Sequence, residues 1–351
     1  MREVAVVSFA QAPSRRRVSD RNEFEILVPV VAEAVQKSGI PKEEIGFTVS
    51  GSCDYLAGQP FAFVLGLDAV GAWPPIRESH VEMDGAWALY EAWILLQEGE
   101  IDSALVYCFG KSSMGSLPDV LALQLDPYYD APLWPDSVSL AALQARAALD
   151  AGVVTEQAMA DVAARSRRDA IANPNAQVGG DFDPAALLLE EFLVTPLRKH
   201  DCPPISDGAA AVVLAAGDLA REVRARPAWI RGIDHRIEPH ALGARDLTVS
   251  SSTMLAAQKA GAHGMSFDVA ELHAPFTHQE LILRSALGLS NGTRINRSGG
   301  ALSANPMMAA GLIRIGEAAQ RIMDGAASRA LAHATSGPCL QQNLVAVLEG
   351  E

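Results

Sequence analysis

Two hydrophobic rhythms alternate along the chain. The stretch EVAVVSFA (residues 3–10) is an unbroken run rich in β-branched residues, which predicts a buried first strand. EFEILVPVVAEAVQKSGI follows with apolar residues at helical spacing and stops at Gly39, a residue suited to ending a helix. PKEEIGFTVSGSC turns into a second strand. AWALYEAWILLQEGE, after Gly85, reads as a helix, and DSALVYCFG as the next strand. Strands alternating with helices predict an α/β layered fold.

The rhythm changes between about residues 111 and 198. Pro, Tyr and Trp gather in LPDVLALQLDPYYDAPLWPD, and two amphipathic helices follow, SVSLAALQARAALDAG and TEQAMADVAARSRRDAIANP. This segment reads as an insertion that caps the core. DCPPISDGAAAVVLAA then returns to a buried strand, and AWIRGIDHRI, from Ala228, opens a second half. A repeat links the halves. Gly85 and Gly99 bound one helix before EIDSALVYCFG, and Gly311 and Gly325 bound another, equally spaced, before AASRALAHATSG. The expected division is residues 1–217, with the insertion inside, and 218–351, as two duplicated units whose equivalent loops meet at one site.

Composition narrows the function. The chain has 351 residues, is 49% apolar and 20% charged, and carries a net charge of −14. Nucleic acid is a poor partner for such a chain, because phosphate binding wants a basic face. A local basic patch for an anionic ligand stays compatible with the average. Cys53, Cys108, Cys202 and Cys339 form no CxxC pair, which argues against a structural zinc site. The opening residues lack the long apolar core of a signal peptide, and no run reaches membrane-spanning length. A cytoplasmic protein with reduced thiols is expected, bound to neither membrane nor permanent cofactor.

Four segments resemble the thiolase superfamily, above all the sterol-carrier-type thiolases and bacterial lipid-transfer thiolase-like proteins. SRRDAIANPNAQ is similar to that family's loop-domain helix end, and DCPPISDGAAAVVLAA to the strand closing its first half. ELHAPFTHQEL is similar to its HDCF segment, and NRSGGALSANP to its Asn-x-x-Gly-Gly segment ending in GHP. They occur in the family's order over nearly the whole chain. The resemblance implies a thiolase fold of five layers, αβαβα, with two related halves and an inserted loop domain. It also implies a dimer, with itself or with another thiolase-like chain, and coenzyme A as part of the substrate.

The family's nucleophile is a cysteine three residues before a glycine, at a helix N-terminus. EMDG puts Glu82 at that position, ahead of Gly85. A carboxylate forms no acyl thioester, so thiolysis is not expected. Glu82 is either a reacting group or a charge stabilised by the helix end. His273 holds the histidine of HDCF, which implies a part in binding the thioester oxygen; the alternative is a core histidine. His278, five residues on, is off that position.

Asn305 stands where GHP has histidine. It cannot take up a proton near neutral pH, but its amide can donate to an oxyanion. It is equally suited to capping a helix that starts at Pro306. Gly299 and Gly300 offer backbone amides and close approach for the ligand. Cys339, in the Gly337-Pro338-Cys339 turn, is a candidate proton donor or acceptor, or a small packed thiol.

Without a cysteine nucleophile, retro-aldol cleavage of a β-hydroxyacyl-CoA is the chemistry the resemblance favours. A base takes the hydroxyl proton, and the enolate is held by hydrogen-bond donors. Some lipid-transfer thiolase-like proteins are aldolases of steroid-side-chain CoA thioesters that work with an OB-fold partner. The same is expected of this chain, with PYYDAPLW lining an apolar acyl pocket or forming dimer surface. The competing expectation is a non-catalytic acyl-CoA-binding or scaffolding subunit.

Overall fold

The computed structural model describes residues 2–351. Its strands are β1 (Val4–Gln11), β2 (Phe47–Gly51), β3 (Glu78–Val81), β4 (Ser103–Lys111), β5 (Phe192–Val194), β6 (Leu197–Arg198), β7 (Asp207–Ala216), β8 (Ala228–Ile237), β9 (Val269–Leu272), β10 (Arg294–Ile295), β11 (Arg329–Ser336) and β12 (Gln342–Glu349). Its helices are α1 (Glu23–Ser38), α2 (Asp54–Ala57), α3 (Phe63–Val70), α4 (Gly85–Glu98), α5 (Leu117–Leu123), α6 (Ser137–Asp150), α7 (Glu156–Ala170), α8 (Pro184–Leu187), α9 (Gly217–Val223), α10 (Ser251–Lys259), α11 (Thr277–Ala286) and α12 (Ala310–Met323).

Ten strands join in the order β10-β9-β11-β12-β8-β1-β7-β4-β2-β3, and the order contains a repeat. From each outer end inward, two parallel pairings are followed by two antiparallel ones. The halves meet where β1 and β8 pair antiparallel, Ala5 opposite Trp229 and Val6 opposite Ala228. Side-chain alternation then sorts the core. Ala104, Val106 and Cys108 of β4 face one way with Leu344, Ala346 and Leu348 of β12, around α4 and α12. Leu105, Tyr107 and Phe109 face the opposite side, against α1. Val345 and Val347 do the same in the other half, toward α10 and α11. Strands buried on both faces read as continuous apolar runs for this reason. The result is the expected five layers, αβαβα, with α4 and α12 in the middle.

Local signals fix the helices. At α1, Asn22 and Glu25 form a reciprocal capping box, and Gly39 ends the helix at φ 73°, where a side chain would be strained. At α4, Asp84 caps the first turn and Gly99 ends the last. The segment between β4 and β7 carries α5 to α8 and the β5–β6 hairpin. In it Tyr128, Tyr129, Leu133 and Trp134 are 81%, 73%, 79% and 51% exposed, so they line no closed acyl pocket within this chain.

Candidate functional site

The site is built on a loop that crosses the middle layer. Residues 305–309 lie over the start of α4, where the Gly85 amide donates to the Met308 carbonyl at 2.9 Å. A Cβ at Gly110 would overlap the Met307 carbonyl oxygen, so only glycine lets the loop approach β4 this closely. Asn305 is anchored through its backbone N–H, which donates to Ser206 Oγ at 3.0 Å.

His273 follows β9 and is buried. Its Nδ1 accepts the Thr335 backbone N–H at 3.4 Å, and its Nε2 lies 3.0 Å from Asn305 Oδ1. A backbone amide can only donate, so Nδ1 carries no proton and Nε2–H donates to Asn305. Burial pushes the imidazole's pKa down to about 4, which keeps the ring neutral. With Oδ1 held by His273, Asn305 presents its NH2 group away from the ring, and among the described residues that group has no hydrogen-bond partner.

The floor beneath the pair is charged and closed. Glu271 receives Ser298 through N at 3.1 Å and Oγ at 2.6 Å, and pairs with buried Arg314 at 3.2 Å. Asn296, at φ 50°, accepts the Leu272 amide at 2.6 Å and donates to Glu280, which is paired with Arg165. These bonds tie the loop before Gly299 to the strand before His273.

Gly299 and Gly300 do not offer their amides. Gly299 N donates to Asn296 O at 2.8 Å and Gly300 N to Ser298 Oγ at 3.2 Å. Their φ values of 94° and 62°, and the Ala170 methyl against Gly299, give these glycines a packing role instead of the ligand-binding one expected. Cys339 is corrected as well. Its thiol donates to the Leu140 carbonyl at 3.4 Å among Leu125, Leu140 and Leu242, and burial pushes its pKa up to about 12. It is a packed thiol. His278 is a core histidine against Gln144, its pKa pushed down to about 3 by burial. Asn305 caps no helix, because α12 begins five residues later, at Ala310.

Glu82 lies between β3 and α4 with its side chain 48% exposed. Oε1 accepts the Asp54 amide at 2.7 Å and Oε2 faces His80 Nε2 at 3.3 Å. It is not the charge at the helix end. That charge belongs to buried Asp84, a residue the sequence reading passed over. Oδ1 of Asp84 accepts Ala86 N at 2.9 Å and Leu312 N at 3.0 Å, while Oδ2 accepts Gly311 N at 2.8 Å. One carboxylate thus caps both middle helices. Burial pushes the Asp84 carboxyl's pKa up while the three backbone N–H donors pull it down, and the group occupies the positive end of α4 that elsewhere lowers a thiol's pKa.

The cavity of about 230 Å³ beside Gln11, Arg15, Arg21, Glu33 and Asp207 contains none of the candidate residues. It places Arg15 and Arg21 together with Glu33 and Asp207, two charges of each sign. Among the described residues no group of His, Cys, Asp and Glu is arranged to hold a metal, and no helix is long and apolar enough to cross a membrane.

No protein-family model matches the chain. It is 26% identical over 301 residues to an acetyl-CoA acetyltransferase of Methanothermobacter thermautotrophicus, covering 82% of this chain and 78% of that one. It is 24% identical over 348 residues to sterol carrier protein 2 of Gallus gallus, 86% of this chain and 63% of the other. Among solved structures, the Ltp2-ChsH2(DUF35) aldolase superposes with a TM-score of 0.81 at 18% identity, over 99% of this chain and 97% of that one. The chain has a thiolase-like fold and is similar in sequence to acetyl-CoA acetyltransferases and sterol carrier protein 2. This thiolase-like fold places His273 directly after β9. At the start of α4 the chain carries the carboxylates of Glu82 and Asp84.

Proposed function

We propose that this chain cleaves a carbon–carbon bond in a β-hydroxyacyl-CoA by a retro-aldol reaction, with a bulky acyl group and without a covalent intermediate. The observation that carries the reading is the His273–Asn305 pair. His273 spends its only ring N–H on Asn305 Oδ1 and thereby leaves the Asn305 NH2 as a neutral, fixed donor. Such a donor stabilises an enolate oxygen that develops in the transition state. Glu82 is the base. It takes the β-hydroxyl proton, the electron pair of that O–H bond becomes the carbonyl, and the bond between the α and β carbons breaks. The pair left on the α carbon delocalises onto the thioester oxygen, facing Asn305. Return of the proton to that carbon gives the shortened acyl-CoA and a ketone or aldehyde. No oxidant or reductant is consumed. The solved aldolase with the same fold carries a DUF35 chain in its name, which supports assay with an OB-fold partner. A steroid side chain is the acyl group we favour.

A second reading has its own support. Burial holds His273 neutral and the Cys339 thiol protonated, so neither titrates near neutral pH. A chain so placed can serve as an acyl-CoA-binding subunit of a larger complex. Mass spectrometry of β-hydroxyacyl-CoA incubated with the chain, alone and with its co-purifying partner, separates the two. Carbonyl product lost in Asn305→Ala supports the aldolase; tight thioester binding with no product supports the subunit.

A further inference from the structure

Beside Glu82 lies a hydrogen-bonded chain that the retro-aldol scheme does not use. His80, on edge strand β3, sits opposite Ser50 of β2 in the parallel register. Its Nδ1 is 3.0 Å from Ser50 Oγ, and its Nε2 is 3.3 Å from Glu82 Oε2. Phe63 of α3 stacks on the ring at 4.7 Å between centroids and 16° between planes. The other Glu82 oxygen is fixed by the Asp54 amide. Buried Cys53 faces the same carboxylate, and burial first, then the Glu82 charge, pushes that thiol's pKa up.

Serine, histidine and carboxylate in a row resemble a hydrolase triad, but the order of burial excludes one. Ser50 is 1% exposed and Glu82 is half-exposed, so the hydroxyl is sealed and the acid faces outward. A nucleophile needs the reverse arrangement. The row instead reads from inside to outside, with a buried hydroxyl setting an imidazole and the imidazole setting a carboxylate.

We propose that His80 is a positioning residue for Glu82, holding its carboxylate at the place where related chains carry their nucleophile. This rests on the reading that Glu82 receives the hydroxyl proton. A carboxylate only accepts, so Nε2 carries a ring proton, and in the neutral ring Nδ1 accepts from Ser50. Phe63 and Ser50 lock the ring, and the ring removes one rotational choice from an otherwise mobile side chain. Positioning of this kind acts on turnover and leaves binding alone.

The test joins kinetics to spectroscopy on the full chain with its partner. His80→Ala lowers kcat about tenfold, the scale of one hydrogen bond to a charged group, with KM unchanged. His80→Gln, whose amide reaches toward Glu82, recovers most of the loss. In a Glu82→Gln background the His80→Ala change costs less than about twofold, because coupled residues do not add. An equal loss with and without Glu82 overturns the proposal. Nitrogen-15 spectra of the His80 ring provide a readout independent of turnover. The Nε2–H form is expected, with the Nδ1 signal displaced in Ser50→Ala; an Nδ1–H form overturns the proposal. If the wild-type chain turns over no CoA thioester, the aldolase reading fails, and the ring spectra alone decide whether His80 is set as described. Urea unfolding of each variant separates a positioning loss from a folding loss.

Discussion

The Asp84 carboxylate accepts the Gly311 amide at 2.8 Å, joining the first turn of α4 to that of α12 across 227 positions of sequence. Ala309, the residue before α12, has no side chain able to cap it. Asp84 supplies the missing acceptor from the other half while capping its own helix. Gly311 is required for this, since a Cβ there would overlap the carboxylate.

Asp84→Ala leaves three buried N–H groups without an acceptor, and the expected loss is about 3 kcal/mol or more of unfolding free energy. Asp84→Asn keeps one acceptor and loses less. Urea unfolding followed by circular dichroism measures both. Equal stability of the wild type and Asp84→Ala would show that the double cap contributes nothing.

Glu82→Cys places a thiol just before α4 with the helix end already capped. The helix end is occupied by Asp84, so the new thiol is expected to titrate near the ordinary cysteine value of about 8.5 and not several units lower. Alkylation by iodoacetamide as a function of pH reads this directly. Rapid modification at pH 6 that is absent from the wild type would contradict it.

Asn305→Ala removes the NH2 donor. The expected effect is a fall in kcat of about 100-fold with a small change in KM, as for loss of one oxyanion donor. His273→Ala should cost a similar factor, and the double variant little more, since His273 acts through Asn305. Losses that multiply would show two independent roles.

Three buried histidines make folding sensitive to acid. Burial lowers His273 to about 4, and His278 and His333 to about 3. The unfolded chain takes up these protons near the ordinary histidine value of about 6.5, before the folded chain does. Stability is therefore intact above that value and declines as pH falls toward 4, at about 1 kcal/mol per pH unit for each histidine. Urea midpoints between pH 4 and 7 measure the slope, and His278→Asn should flatten it.

Much of this fold was legible because its strands are buried on both faces and its helices end in glycine. The repeated Gly85–Gly99 and Gly311–Gly325 spacing pointed to paired helices, and α4 and α12 are the middle layer. The site was legible in part. His273 stood out by its motif, and its bond to Asn305 joins two segments singled out separately. Thr335, which sets the ring's proton, gave no sequence signal, because its role depends on the neighbouring strand. Asp84 did carry one, an acid just before a glycine that opens a helix, but Glu82 two residues earlier drew the attention. Gly299, Gly300 and Cys339 misled for a common reason. A residue type suited to catalysis is equally suited to tight packing, and only hydrogen-bond partners distinguish the two.

The mirrored strand order has one more consequence. Each layer of one half has a counterpart in the other, yet the histidine–asparagine pair lies after β9 and before α12, while the serine–histidine–glutamate row lies between β2 and α4. The repeated scaffold thus differs in what its corresponding loops hold, a histidine–asparagine pair on one side and a serine–histidine–glutamate row on the other. A molecule made of two copies of either half would carry one of these arrangements twice and lack the other.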